Sequence, residues 1–319
     1  MRSLMEKNSL KILTIIVTYN GSKWIDRCID SIQESTVLTD IFVVDNASFD
    51  DTVSILKRYP TIILNESKDN LGFGQANNLG FKYALKNNYD YVFLLNQDTW
   101  IEKDTIEVLL DVAERNKEYG IISPMHYFSD KKSLEYFFST RLSPFYCKNI
   151  LSDFVLKGIE RMEDIYSLNF VNAAAWIMPI KTIANIGGFD PIFFHYGEDN
   201  NYCQRLNFHN IKIGVTPKTK IYHDCKTQEE NQIILRNKKI DKLVLDFKVH
   251  FSNVKLNNIT YLSLFKYVLK LLFKSLKRIT MLDFKEGSVF FVASLNCFFY
   301  IKKILKSRII NIDLKSNYL

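Results

Sequence analysis

Over its first 125 residues the chain alternates short β-branched apolar runs with helical patterns, and this alternation admits little besides βαβ units around a mostly parallel sheet. Residues 12–18, 41–44, 61–64 and 91–95 read as strands. Between the first two, Ile25, Cys28, Ile29 and Ile32 recur at helical spacing, and residues 75–86 support a second helix before the fourth strand. Ligands of such sheets gather at the C-terminal strand ends. Those ends carry Thr18-Tyr19-Asn20, Asp45-Asn46-Ala47-Ser48 and Asn96-Gln97-Asp98, so three of them aim polar chemistry at one edge.

The remainder has weaker periodicity. Residues 123–167, rich in Phe, Tyr, Ser and Lys, suggest loops and short helices beside a cleft. Residues 169–179 read as a strand, followed by a short helix, the turn Gly187-Gly188-Phe189-Asp190 and an acidic loop at Gly197-Glu198-Asp199 that opens a helix. Residues 212–215 and 220–223 read as two further short strands. At 319 residues, 47% of them hydrophobic, the chain can bury a substantial core. Its five cysteines are scattered without a C-x-x-C pair, which points to buried free thiols and away from zinc or redox work. No opening stretch has the form of a secretory signal, so a cytosolic active site is expected.

Several side chains have the chemistry of a nucleotide site. Asp45 at a strand end either caps the following helix or accepts hydrogen bonds from a base or ribose. Asn70-Leu71-Gly72-Phe73-Gly74 offers glycines for a close backbone approach and then a helix N-terminus suited to an anion, although an ordinary loop has the same composition. Asn96 and Asp98, two apart on an extended segment, share a face and present hard oxygen ligands suited to Mg²⁺ or Mn²⁺ bound with substrate phosphates. The alternative for Asp98 is a cap on a helix over 99–110. His223 is a further candidate ligand or a structural histidine. Glu198 and Asp199 follow the aromatic segment Phe193-Phe194-His195-Tyr196, which can shield a carboxylate from water and raise its basicity; the alternative is a pair of acids favoured by a helix dipole.

In order and spacing these segments, together with Gly187-Gly188-Phe189-Asp190, Glu198-Asp199 with Arg205, His223 and Arg236-Asn237, resemble glycosyltransferase family 2, particularly the rhamnosyltransferase-like members that build bacterial surface polysaccharides. The resemblance spans roughly residues 12–237. It implies a GT-A fold, a nucleotide-diphosphate sugar donor linked to deoxythymidine or uridine, and inversion at the anomeric carbon, with rhamnose the first candidate sugar. It implies that Thr18, Tyr19 and Asn20 lie beside the nucleotide, Asp45 on the base and Asp98 on the metal, with Asn46, Asn70, Gly72, Asn96, Gln97, Arg205 and Arg236 among the donor contacts. The family motif reads Asp-x-Asp where this chain has Asn96-Gln97-Asp98, which puts a neutral amide in place of the first carboxylate. The catalytic base maps to Asp199, with Glu198 orienting it or the acceptor. The Gln-x-x-Arg-Trp signature of processive members does not follow Asp199, so one or few sugars per binding event are expected.

The rear of the chain differs in character. Residues 236–308 hold 16 Lys or Arg against 4 Asp or Glu, a balance of +12 that leaves −5 for the rest of a chain whose net charge is +7. These charges stand among apolar and aromatic residues, which suits an anionic lipid surface and not nucleic acid. Lys266, Lys270 and Lys274 recur every fourth residue in an otherwise apolar helix over 261–279, and residues 287–301 add an apolar stretch shorter than a bilayer span. A GT-A catalytic domain over 1–240 is therefore expected to carry a basic amphipathic helical extension over 241–319. The extension would lie on the inner face of the membrane beside a lipid-linked glycan acceptor, or else pack on the catalytic domain or on a second copy of the chain. Two other classes of protein fit these residues less well. A nicotinamide-dependent dehydrogenase would need G-x-G-x-x-G after the first strand, where Thr18-Tyr19-Asn20-Gly21 stands. An inactive nucleotide-sugar-binding scaffold would not need Asp98, Glu198 and Asp199 together.

Overall fold

The structure, a computed structural model, describes residues 10–225, 235–315 and 317–319; the side chains of residues 159 and 235–237 lie outside that description. It opens with β1 (Ile12–Thr18), α1 (Ile25–Gln33), β2 (Asp40–Asp45), α2 (Thr52–Leu56), β3 (Ile62–Glu66), α3 (Phe73–Lys86) and β4 (Tyr91–Asn96). β1 pairs in parallel with β2 and β4, and β2 with β3. Helices cover both faces here, so Leu13 and Ile15 pack on one side of β1 while Ile12 and Ile16 pack on the other. α3 presses so closely that a Cβ on Gly80 would stand 2.6 Å from the Ile15 side chain.

The chain continues through β5 (Thr99–Ile101), α4 (Thr105–Arg115), β6 (Tyr119–Phe128), α5 (Tyr136–Arg141), α6 (Ile150–Lys157), β7 (Tyr166–Leu168), β8 (Ala175–Pro179), α7 (Ile180–Ile186), α8 (Glu198–Phe208) and β9 (Lys212–His223). The sheet order is β3-β2-β1-β4-β8-β6-β9-β5, with β7 beside β9. It is parallel from β3 to β4. Beyond that, β8 runs antiparallel to both β4 and β6, β6 and β9 pair in parallel, and β5 and β7 lie antiparallel to β9.

Three local expectations are corrected. Residues 212–223 form one strand and not two, because the ladder with β6 steps from Ser123–Val215 to Met125–Lys220 and absorbs the intervening residues, Pro217 among them, as an irregularity. The strand expected over 169–179 is confined to Ala175–Pro179. Asp98 caps no helix: β5 follows it directly, and α4 begins only at Thr105.

Three C-terminal helices complete the chain: α9 (Leu235–Ser252), α10 (Tyr261–Thr280) and α11 (Phe284–Ile312). α10 starts with a capping box formed by Thr260 and Ser263. Val244, Phe247, Leu264, Val268, Ala293, Cys297 and Ile301 form a separate apolar cluster between the three. α11 runs on for 29 residues, about 43 Å at the α-helical rise, and is long and apolar enough to cross a membrane, unlike the fifteen-residue stretch read from the sequence. Its last turns are committed elsewhere. Ser307, Asn311 and Tyr318 converge on the buried Asp190 carboxylate, with Asn311 at 3.0 Å and Tyr318 at 3.1 Å. The C-terminal helices are thus bolted to the turn that precedes the acidic pair.

Candidate active site

The first two strand ends are tied to each other and to the fourth by their own side chains. Thr18 Oγ1 donates to Gln97 Oε1 at 2.6 Å, Tyr19 N donates to the same oxygen at 3.0 Å, and Gln97 Nε2 returns a bond to Tyr19 O at 3.2 Å. Asn20, at a φ of 50°, takes a bond from Phe49 N at 3.0 Å and gives its own N–H to Ser48 at 2.9 Å. The buried Asn46 accepts from Leu71 N at 2.7 Å and donates to Asn70 at 2.9 Å, and Asn70 accepts from Gly72 N at 2.9 Å. Asn46, Asn70 and Gln97 therefore hold loops in place through the groups expected to touch a donor. Asp45 differs. Ser48 N binds one of its oxygens at 3.0 Å, whereas the other, Oδ1, is buried without a partner among the described residues. A buried unpaired carboxylate oxygen is costly, so it marks where a ligand donor fits.

Gly72 carries a different meaning from the one expected. At a φ of 76° its added Cβ would stand 1.9 Å from Phe194 O, so the backbone it admits is that of the aromatic loop 193–197. Gly74 meets the same region, since a Cβ there would lie 2.8 Å from Phe189 Cβ and 3.4 Å from Glu198 Cβ. These contacts draw the start of α3 against the acidic pair.

Asp98 and His223, 125 positions apart, meet because β5 pairs with the end of β9, Thr99 opposite His223. His223 Nε2 lies 3.2 Å from Asp98 Oδ1, and its Nδ1 lies 3.5 Å from Glu135 Oε2. Glu135 is buried at the head of α5 and also stands 3.5 Å from His126 Nδ1. Burial alone would raise the Glu135 carboxyl, but hydrogen bonds from His126 and His223 bring it down to about 2. Burial alone would lower His223, and its bonds to Asp98 and Glu135 overcome that and carry it up to about 10. His126, dominated by burial, is pushed down. Glu135 has no sequence signal of its own; it sits in a stretch without clear periodicity, and only folding shows it behind His223. Cys225 joins Glu135 and His223 in one cluster of ligand-type side chains. Asn96 Oδ1, two residues before Asp98, is buried without a partner among the described residues.

Glu198 and Asp199 occupy the first turn of α8, after Gly197 at a φ of 87°. Glu198 is 5% exposed, and its Oε2 has no partner among the described residues. Burial and then the neighbouring Asp199 charge push it up to about 7. Burial likewise raises Asp199, whose Oδ1 accepts from Asn200 N at 2.7 Å. Asp199 lines a cavity of about 610 Å³ between α5, α8 and α9, within the usual ~300–1,000 Å³ of small-molecule sites. A larger cavity of about 740 Å³ is lined by neither Asp98 nor Asp199.

Glu198 couples the stability of the fold to pH. The folded chain keeps this proton to about pH 7, whereas an ordinary carboxyl loses it near 4.5. Its contribution to stability is therefore full at acid pH and is lost as pH rises through that window. Calorimetry from pH 4 to 8 is expected to show wild-type unfolding temperature falling relative to Glu198→Gln over that window, and parallel curves would refute the shift.

One expected donor contact, Arg205, falls elsewhere. Arg205 is 1% exposed and does not reach the strand ends: it donates to Ile186 O at 3.0 Å and to Gly188 O, and lies between the rings of Tyr202 and Tyr318. It is the bolt that holds the 187–190 turn against the C-terminus, because a buried guanidinium must find fixed carbonyl acceptors. The side chain of Arg236 lies outside the described residues.

The profile of Glycosyl transferase family 2 matches residues 14–163. Over 227 residues the chain is 26% identical to the rhamnosyltransferase WbbL of Escherichia coli K12, covering 66% of this chain and 83% of that protein. It is 24% identical over 232 residues to an N-acetylglucosaminyl-diphospho-decaprenol L-rhamnosyltransferase of Mycobacterium tuberculosis, covering 66% of this chain and 74% of the other. The fold is similar to that of Staphylococcus aureus TarS residues 1–349 in complex with UDP, with a TM-score of 0.54 at 14% identity over 79% of this chain and 67% of that one.

Proposed function

Because the chain carries a family 2 glycosyltransferase domain on a GT-A fold, we propose that it transfers a single sugar, rhamnose first among the candidates, from a deoxythymidine or uridine diphosphate donor to a hydroxyl of a growing, lipid-linked surface glycan, with inversion. One observation carries this reading: Asp98 and His223 stand side by side at the sheet edge that also bears the unpaired Asp45 oxygen. In the proposed site Asp45 receives the base, Thr18, Tyr19 and Asn20 flank the nucleotide, and Gln97, Asn46 and Asn70 keep those loops in register.

The donor set at Asp98 fits a divalent cation, with Mn²⁺ suited better than Mg²⁺ because an imidazole nitrogen accompanies the carboxylate. Asp98 and His223 would hold it, His223 giving up the Nε2 proton that it otherwise shares with Asp98, and Glu135 fixes the His223 ring from behind. Such a cation, when bound, supplies positive charge to the departing diphosphate. The remaining steps belong to the chain. Asp199, on the cavity side, takes the proton of the attacking hydroxyl as the oxygen reaches the anomeric carbon. Glu198, protonated beneath it to about pH 7, keeps a second negative charge away from Asp199 while that proton is in transit. The start of α3 packs against the aromatic loop 193–197 and against Glu198, which keeps Glu198 out of water.

A thermal-shift screen of the purified chain against nucleotide sugars, each with and without Mn²⁺, tests the donor reading. Stabilisation by one deoxythymidine or uridine diphosphate sugar that grows with Mn²⁺ is expected, and no response to any donor would overturn it.

The C-terminal helices are proposed to rest on the inner membrane face and not to cross it. Lys266, Lys270, Lys274 and Lys277 are exposed on α10 together with Phe273 and Leu276, and Phe299 is exposed on α11, while the buried stripe of α11 is committed to the other two helices. At about 1 kcal/mol per lysine near an anionic surface, Lys266→Glu, Lys270→Glu and Lys274→Glu together are expected to weaken co-sedimentation with phosphatidylglycerol vesicles more than a hundredfold and to leave the little binding to neutral vesicles unchanged. Equal binding of wild type and variant to anionic vesicles would reject this surface.

A further inference from the structure

The cavity beside Asp199 has the composition of a saccharide site, and its far wall is built by helix α9. Arg141, Asn172 and Gln204 all line it, and each retains a buried polar atom without a partner among the described residues: Arg141 Nε, Asn172 Oδ1 and Gln204 Oε1. Two of the three are held in place by other contacts. Gln204 Nε2 donates to Val249 O on α9 at 3.3 Å, and the Arg141 guanidinium lies 4.8 Å from the Phe170 ring. Folding rarely leaves three planar hydrogen-bonding groups unmet around one cavity unless a ligand meets them. Phe137 and Tyr196, 49% and 66% exposed, stand at the same cavity as flat apolar surfaces.

The mixture selects the ligand class. The carboxylates of Asp199 and Asp246 face the same space as Arg141 and His250, so a phosphate would meet negative charge. A neutral ring with many hydroxyls satisfies both the donors and the acceptors, and its C–H face matches the aromatic rings. The donor's own sugar is the competing occupant, but Asp45, Thr18, Asn20, Gln97 and Asp98 do not line this cavity.

We infer that the cavity between α5, α8 and α9 holds a neutral pyranose unit of the acceptor, bound by Arg141, Asn172 and Gln204 so that one hydroxyl faces Asp199. This rests on the reading of Asp199 as the group that takes the hydroxyl's proton. Leu245, Asp246, Val249 and His250 of helix α9 line the cavity, so acceptor choice belongs in part to the C-terminal helices.

Saturation-transfer NMR on the full chain, with methyl glycosides of N-acetylglucosamine, glucose, galactose and rhamnose, tests this with and without saturating UDP and dTDP. At least one glycoside is expected to bind, to remain bound when the nucleotide is present, and to weaken tenfold or more in Gln204→Ala. A second variant, His250→Trp, places bulk from an exposed position of α9 at the cavity, and it is expected to abolish the same signal at an unchanged unfolding temperature. The inference is overturned by the absence of binding by all four glycosides, by displacement with UDP or dTDP, or by binding that survives both substitutions. Failure of UDP and dTDP to bind the wild type would instead strike the donor reading, and the glycoside result would still be read on its own.

Discussion

Replacing Asp199 by Asn is expected to lower sugar transfer by roughly 10²–10⁴-fold, the range for loss of a positioned general base. The side chain keeps its shape and still accepts from Asn200 N, so α8 and the cavity keep their form. What is lost is the capacity to take a proton. Because Asp199 lies on the cavity wall and the loops proposed to bind the donor lie at the strand ends, the affinity for nucleotide sugar is expected to change less than threefold. Steady-state kinetics with calorimetric titration of the donor checks both halves. Turnover within a factor of three of wild type would remove Asp199 from its role and pass it to Glu198, whose proton is held to about pH 7.

Loss of the proposed cation is expected to have an effect of similar size. Treatment with EDTA, or Asp98→Ala, should lower turnover about 10²–10³-fold, the equivalent of about 3–4 kcal/mol of charge stabilisation on the leaving diphosphate. Added Mn²⁺ should restore the EDTA-treated enzyme and leave Asp98→Ala at its lowered turnover. Glu135→Gln provides the graded case: the His223 ring keeps a hydrogen-bond partner but loses the carboxylate behind it, and Mn²⁺ affinity, read by titration calorimetry, is expected to fall 10–100-fold as for other carboxylates that support a metal-binding histidine. Full turnover after exhaustive removal of metal would refute the assignment of Asp98, and unchanged Mn²⁺ affinity in Glu135→Gln would refute that of Glu135.

The residues that the amino-acid order could not place share one feature, which is that long-range pairing decides their environment. Arg205 stands in a polar stretch at a spacing that fits a donor contact, yet folding buries it where Ile186 and Gly188 turn their carbonyls inward and the C-terminal Tyr318 closes over it. Gly72 advertises an approach of backbone to ligand, and the approaching backbone is Phe194. Glu135 lacks any local signature, since its meaning comes from two histidines supplied by β6 and β9. The cavity beside Asp199 is assembled from four separate parts of the chain, and no one of them shows a saccharide site alone.

What the amino-acid sequence determined by itself is the set of features with a short physical period. These are the β-branched runs of the parallel half-sheet, the helical spacing of Ile25, Cys28, Ile29 and Ile32, the polar residues at strand ends, and the basic amphipathic helix over 261–279, because backbone periodicity and local turn chemistry are written within a few residues. Tertiary structure alone decided the rest: that β5 and β9 bring Asp98 to His223, that Asp190 anchors the end of α11, and that α9 walls the space before Asp199. Those contacts depend on strand order and on helix docking, and their energies come from burying groups far apart in the chain, which no local pattern encodes.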